Sequence, residues 1–258
     1  MEYTPVFDLF HIAILVGSGF LGAFIDSAVG GGGLITVPAL MTMGMPIPML
    51  LGTNKFAASC GAITSFLSFW RAGSIDKSAF PLMILSFLGS MAGVGCVYLL
   101  PEKILKSIIV FALVCVAIYT FFRKDWGDRK LVKTSLSMKA IIGAIFMALA
   151  LGFYDGFFGP GTGSFLIFGF LFLGFDFVTA AGNAKALNFA SNIAGFLTFC
   201  LGGSVIWGYG LLMAPAMILG AFCGSRLAIK KGAAYVRPLF LIVTTILIGK
   251  QVWEIFVK

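Results

Sequence analysis

The sequence predicts an all-α polytopic membrane protein of about 8–10 transmembrane segments, arranged as two inverted repeats, with broken or re-entrant short helices after Gly-rich turns. Three observations predict it. The 258 residues are 60% hydrophobic and 11% charged, with a mean hydropathy of +1.05, whereas a soluble domain carries about 25% charged residues. The apolar residues fall into ten runs separated by short polar connections. A pattern of glycines and one lysine in the first half also recurs 130 residues later.

The runs are, in order, 8–28, 34–50, 54–70, 79–99, 104–122, 138–154, 163–175, 184–201, 206–228 and 235–256. An α-helix rises about 1.5 Å per residue and the hydrocarbon core is about 30 Å thick, so a span needs about 20 residues. Most runs approach that length. The second is interrupted by Pro38, Pro46 and Pro48, and the seventh is too short to cross. Both follow a glycine-rich turn, so both read as half-helices. Such backbone survives within a membrane only when it is buried in protein or lines a wet cavity. The N-terminus Met1-Glu2-Tyr3-Thr4-Pro5 has no basic region of the kind that precedes a cleaved leader, so the first run is expected to remain as a span.

Lysine and arginine set the orientation. The basic segment 123–139 is expected in the cytoplasm, with the loops carrying Arg71 and Lys77, and Arg226, Lys230, Lys231 and Arg237. That placement requires an odd number of crossings in each half, so the halves face opposite ways. It divides the chain into an N-terminal repeat over 1–122, a basic linker over 123–137 and a C-terminal repeat over 138–258. Trp70 and Trp126 then lie at one interface, and Trp207 and Trp253 at the other. The net charge of +8 reads as topology signal and headgroup contact rather than nucleic-acid binding. Five cysteines without C-x-x-C spacing indicate neither a disulfide framework nor a metal site. The single histidine, His11, reads as structural, and no cofactor is implied.

The offset of 130 maps Gly22 onto Gly152, Gly31 onto Gly161, Gly33 onto Gly163, Gly44 onto Gly174, Gly52 onto Gly182, Lys55 onto Lys185 and Gly73 onto Gly203. The lysine match is the informative one, because lysine is scarce inside apolar runs. The aspartates before each glycine turn, Asp26 and Asp155, miss the offset by one residue.

These repeated stretches are the candidate site. Gly31, Gly32, Gly33, Gly161 and Gly163 can expose backbone N–H groups at the start of a short helix, where an anion is favoured. Thr162 and Ser164 add hydroxyls. Membrane glycines also serve merely to let helices approach. Thr53, Asn54 and Lys55, and Asn183 and Lys185, place a cation beside polar donors at what reads as a helix start. Burying a lysine costs about 2.5–3.5 kcal/mol on insertion scales, so the alternative is that both snorkel to the interface. Asn188 and Asn192 share one helix face, with Ser191 beside them, either lining a pathway or gluing helices together. Asp26 and Asp155 either carry protons or cap the turns.

The pairing of D-x-x-x-G-G-G-G-L-I-T-V-P-A-L with G-T-N-K, echoed by G-F-Y-D-G-F-F-G-P-G-T-G-S-F and G-N-A-K-A-L-N-F-A-S-N, resembles the sulfite exporter TauE/SafE family, also called the toluene sulfonate uptake permease group. The resemblance implies an inner-membrane permease of seven or eight spans for small, often sulfur-containing anions such as sulfite, sulfonates or sulfoacetate. The residues alone point to a similar end: a secondary transporter whose partners are a small anion, the lipid bilayer and protons as a coupling ion, with a homo-oligomer left open. An intramembrane enzyme acting on a lipid or sulfur compound is the competing class, and a membrane assembly partner without cargo the third. The enzyme would need a nucleophile, a metal cluster or an acid–base pair near the midplane, and no such set is visible in the sequence.

Overall fold

The computed structural model describes residues 4–122 and 138–231, which form helices without strands. They are α1 (Leu9–Val29), α2 (Gly33–Met41), α3 (Ile47–Arg71), α4 (Ala79–Leu99), α5 (Glu102–Phe122), α6 (Met138–Phe157), α7 (Thr162–Phe172), α8 (Phe177–Leu201) and α9 (Trp207–Lys231). The linker 123–137, the tenth apolar run, Trp126, Trp253 and Arg237 lie outside the described residues.

Four of these helices, α1, α4, α6 and α9, are long and apolar enough to cross a bilayer. Their outer faces carry large apolar side chains with no internal partner to bury them, among them Ile84, Leu88, Ile142, Phe146 and Leu219. That is the surface a lipid-facing helix needs. Helices α3 and α8, each 25 residues long like α9, carry buried lysine and asparagine in their middles, and they pack against each other, with α3 also against α9 and α8 against α4. The short helices α2 (9 residues) and α7 (11 residues) follow the two glycine turns, as the sequence predicts; at about 1.5 Å per residue each reaches about halfway through a bilayer.

Two helix starts differ from the sequence reading. The third run was expected to begin at 54 and the eighth at 184, but α3 starts at Ile47 and α8 at Phe177. Proline explains the first difference. Pro46 sits at the N-cap and Pro48 in the first turn, where a missing N–H costs nothing and the fixed φ suits a helix. Asp176 explains the second: its carboxylate accepts the Val178 and Thr179 N–H groups at 3.0 and 3.1 Å, a side-chain N-cap. Lys55 and Lys185 are therefore each the ninth residue of a 25-residue helix, more than two turns inside it rather than at its mouth. At the N-terminus, Asp8 caps α1 in the same way. The His11 backbone N–H, 2.8 Å away, is the main cause holding its carboxyl below the usual range.

The packing pairs off. α1 lies along α9 as α6 lies along α4, and α3 meets α9 as α8 meets α4. Among the described residues, the eight glycines with positive φ also fall into four pairs at matching places: Gly30 and Gly159, Gly31 and Gly161, Gly44 and Gly174, Gly73 and Gly203. These are the turns that a side chain would strain. The aspartate offset has a local cause. The turn after α1 runs Gly30 to Gly32, and the turn after α6 runs Phe158 to Gly161. One extra residue there shifts everything upstream to an offset of 129, which brings Asp26 onto Asp155 and undoes the match of Gly22 with Gly152, whose surroundings differ.

Candidate functional site

The two glycine turns abut at the centre of the molecule. A Cβ on Gly30 would lie 2.1 Å from the Ser164 amide nitrogen, and one on Gly33 would lie 2.9 Å from Pro160 Cα. Ser164 Oγ donates across the junction to the Val29 carbonyl at 3.0 Å. The N-terminal ends of α2 and α7 thus come together, each carrying the partial positive charge of a helix start. At α2 the protein supplies an anion of its own: the Gly32 N–H donates to Asp26 Oδ1 at 3.2 Å.

Both lysines are buried, Lys55 3% and Lys185 1% exposed, so neither snorkels to an interface. Each reaches into the other half. Lys55 Nζ lies 2.7 Å from Asp155 Oδ2 and donates to Asn192 Oδ1 at 3.3 Å. Lys185 Nζ lies 2.9 Å from Asp26 Oδ2 and also donates to the Asp26 carbonyl. Two lysine–aspartate pairs thus tie the first half to the second. Desolvating four charges is tolerable only because each meets its opposite at hydrogen-bonding distance. Ser191 Oγ, 2.6 Å away, donates to the same Asp155 Oδ2.

Against these pairs lies a cavity of about 50 Å³, room for a few waters or one small oxyanion. Its wall includes Gly32, Gly33, Asn54, Lys55, Gly163, Asn188 and Asn192, with Asp26 and Asp155. Asn54 is 8% exposed, and its Oδ1 has no hydrogen-bond partner among the described residues. That oxygen is an acceptor, so an oxyanion in the cavity would have to be met by the Asn54 Nδ2–H group instead. Asn192 spans the site, accepting from Lys55 and donating Nδ2–H to the Asn188 carbonyl at 2.8 Å. Lys185 stands just behind the wall: a Cβ on Gly163 would be 3.3 Å from its Nζ. Ser27, Thr36 and Met217 also line the cavity and were missed, since a serine, a threonine and a methionine in an apolar run carry no distinguishing signal.

Gly31 and Gly161 belong to the turns, and Thr162 and Ser164 to the first turn of α7; none of the four lines the cavity. Thr162 Oγ1 donates to the Gly159 carbonyl at 2.8 Å. Thr53 and Asn183 occupy matched places and do matched work elsewhere. Thr53 Oγ1 accepts the Ile206 N–H at 2.9 Å, and Asn183 Oδ1 accepts the Asp76 N–H at 2.8 Å. Beside them, a Cβ on Gly52 would fall 1.9 Å from the Ser204 carbonyl oxygen, and one on Gly182 would fall 2.1 Å from that of Ser74. Each Gly-(Thr/Asn)-x-Lys motif therefore clasps a loop of the opposite half with its first two residues and an aspartate of that half with its fourth. Thr53→Val, which keeps the shape but removes the acceptor, should cost about 1–3 kcal/mol by orphaning the Ile206 N–H. Thr53→Ser should cost less. Melting of the purified variants in detergent checks both.

The family profile described as "Sulfite exporter TauE/SafE" matches residues 15–250. The chain belongs to the TauE/SafE family. Among relatives of this membrane transporter, a Haemophilus influenzae "Probable membrane transporter protein" is 39% identical over 245 residues, covering 94% of this chain and 95% of the relative. The Escherichia coli K12 "Probable membrane transporter protein YfcA" is 39% identical over 250 residues, covering 95% and 89%. A Bacillus subtilis relative, "Probable membrane transporter protein YunE", is 27% identical over 268 residues, covering 92% and 96%. No solved structure matches. The TauE/SafE chain is a multi-pass bacterial-type membrane transporter, not an enzyme. Among the described residues, no group of three or more His, Cys, Asp or Glu side chains is placed to hold a metal ion.

Proposed function

We propose that this transporter is a secondary permease for small, singly or doubly charged oxyanions, sulfur-containing ones such as sulfite, sulfonate or sulfoacetate first among them. One observation supports the reading above others: a small cavity at the junction of the two halves, walled by a buried ammonium, three asparagine side chains and glycine backbone. Sulfonate and sulfite oxygens are compact acceptors that amide and ammonium donors fit. A cavity of about 50 Å³ favours such anions over bulky ones. The family description, with its sulfite exporter, points the same way.

The two halves, 1–122 and 138–258, then act as inverted bodies that rock about the glycine junction and open the cavity to each side in turn. The basic linker 123–137 stays cytoplasmic. The site residues divide by task. Lys55, Asn54, Asn188 and Asn192 face the cargo, and Lys185 holds Asp26 at the α2 N-terminus. Reconstituted protein should take up labelled sulfoacetate or sulfite into liposomes with saturation. Asn54→Leu, which leaves the ion pairs intact, should raise the half-saturating concentration at least several-fold. Saturable uptake of none of the sulfur oxyanions by wild type would remove this reading of the substrate.

A further inference from the structure

The two ion pairs are not equivalent, and the difference assigns them different parts. Both Asp26 oxygens are engaged, Oδ1 by the Gly32 N–H and Oδ2 by Lys185. At Asp155 every partner is on Oδ2: Lys55 at 2.7 Å and Ser191 at 2.6 Å. Its Oδ1 accepts no hydrogen bond among the described residues, although Asp155 lines the cavity. Asp26 is the more exposed, its side chain 25% against 3% for Asp155. Exposure alone would make Asp26 the easier to reach. Its carboxylate, though, is bonded at both oxygens and held at a helix N-terminus, so it has no oxygen left open to the cavity.

Charge balance supplies the rest. Two lysines and two aspartates around the cavity sum to zero, so an arriving anion finds a neutral site whose ammonium groups are already spent. A buried net charge is costly. The anion gains a full ionic partner only if one carboxylate gives up its lysine. Resting on the anion-permease reading above, we infer that Asp155 is the proton carrier. A proton from the aqueous side bonds to the open Oδ1, the Lys55–Asp155 ion pair breaks, and the Lys55 ammonium turns to the anion. Neutral aspartic acid keeps the Ser191 hydroxyl as a partner. One proton crosses with each anion. Release of the anion restores the pair and returns the proton to the other side.

The groups facing Asp155 are compatible with that part. α3 brings Lys55 and α8 brings Ser191 and Asn192. α4 brings Ser90, whose hydroxyl is given to the Ser191 carbonyl at 2.6 Å. α7 brings no titratable side chain, and Tyr154 precedes Asp155 on its own helix, with its hydroxyl donated to the Pro160 carbonyl at 2.7 Å. Asp26 lies in the wall of the same cavity, with Lys185 behind it.

The test uses the full chain in liposomes loaded with a pH indicator, with labelled sulfoacetate as cargo because its own groups stay ionised near neutral pH. An acid-outside gradient should raise the wild-type initial rate several-fold, and the lumen should acidify with each anion entering. Asp155→Asn should lose that response while still exchanging labelled for unlabelled anion across equal concentrations. Asp26→Asn should keep the response wherever it folds. Asp155→Glu should restore it. A gradient response surviving in Asp155→Asn overturns the assignment. Should Asp155→Asn lose exchange as well, the wild-type proton count decides: anion entry without acidification overturns it. If no sulfoacetate enters wild-type liposomes but another anion does, the substrate reading fails and the proton count is repeated with that anion. If no anion enters, both fall together.

Discussion

Lys55→Ala should abolish uptake and also weaken the fold by about 3–5 kcal/mol, because it strands the Asp155 carboxylate in the interior with only a serine hydroxyl for company. The two consequences can be separated. Removing both partners, Lys55→Ala with Asp155→Ala, leaves no uncompensated charge, and replacing a whole buried pair is often close to neutral for stability. The double variant should therefore melt near wild type and yet move no anion. A single variant that is unstable but still transports at the wild-type rate per folded molecule would place Lys55 in the scaffold and not at the cargo. The same comparison at Lys185 and Asp26 should show a larger loss of stability in the double variant. There the carboxylate also caps α2 through Gly32, so its removal leaves a helix N-terminus unsatisfied.

The largest purely structural effect is expected at Gly30. Its backbone has φ 81° and ψ 166°, a region essentially reserved for glycine that costs other residues about 1–3 kcal/mol. A Cβ there would also lie 2.1 Å from a backbone nitrogen and 2.3 Å from a backbone carbonyl carbon of the opposing turn. Neither is the loose end of a side chain that can swing away. Gly30→Ala should fail to give monodisperse protein. Gly73→Ala is the matched control: φ is 68° but nothing lies within 4 Å of the added carbon. It should cost only the left-handed strain, about 1–2 kcal/mol, and remain soluble in detergent with a lowered melting temperature. Size-exclusion profiles of the two variants side by side check the contrast.

The short helices, the glycine turns between them and the pairing of Lys55 with Lys185 were legible because each is a local departure from a uniform apolar background. A proline or glycine cluster in a membrane sequence has few explanations. What the lysines touch was not legible. Asp155 is 100 residues from Lys55, and Asp26 is 159 from Lys185. The residues alone assign the lysines to an anion or the interface and the aspartates to protons or capping, and so do not anticipate that they pair with each other across the halves. The helix starts were misplaced because polar residues at 52–55 and 182–185 look like an interface when read locally. In the fold they are interior residues satisfied by the opposite half. Thr53 and Asn183 were read as ligands for the same reason: a polar side chain beside a buried lysine does not announce that it serves a distant loop N–H.

The crossed ion pairs also bear on biogenesis. While the first half is leaving the ribosome, Asp26 and Lys55 lack their ion-pair partners, since those arrive only with α6 and α8. Helices α1 and α3 therefore enter the bilayer carrying an aspartate and a lysine whose final partners are still to come, and until then each has only the other for a counter-ion. The crossed pairing is completed in one late step, when the second half docks, so a ribosome stalled after α5 leaves behind a product that cannot close.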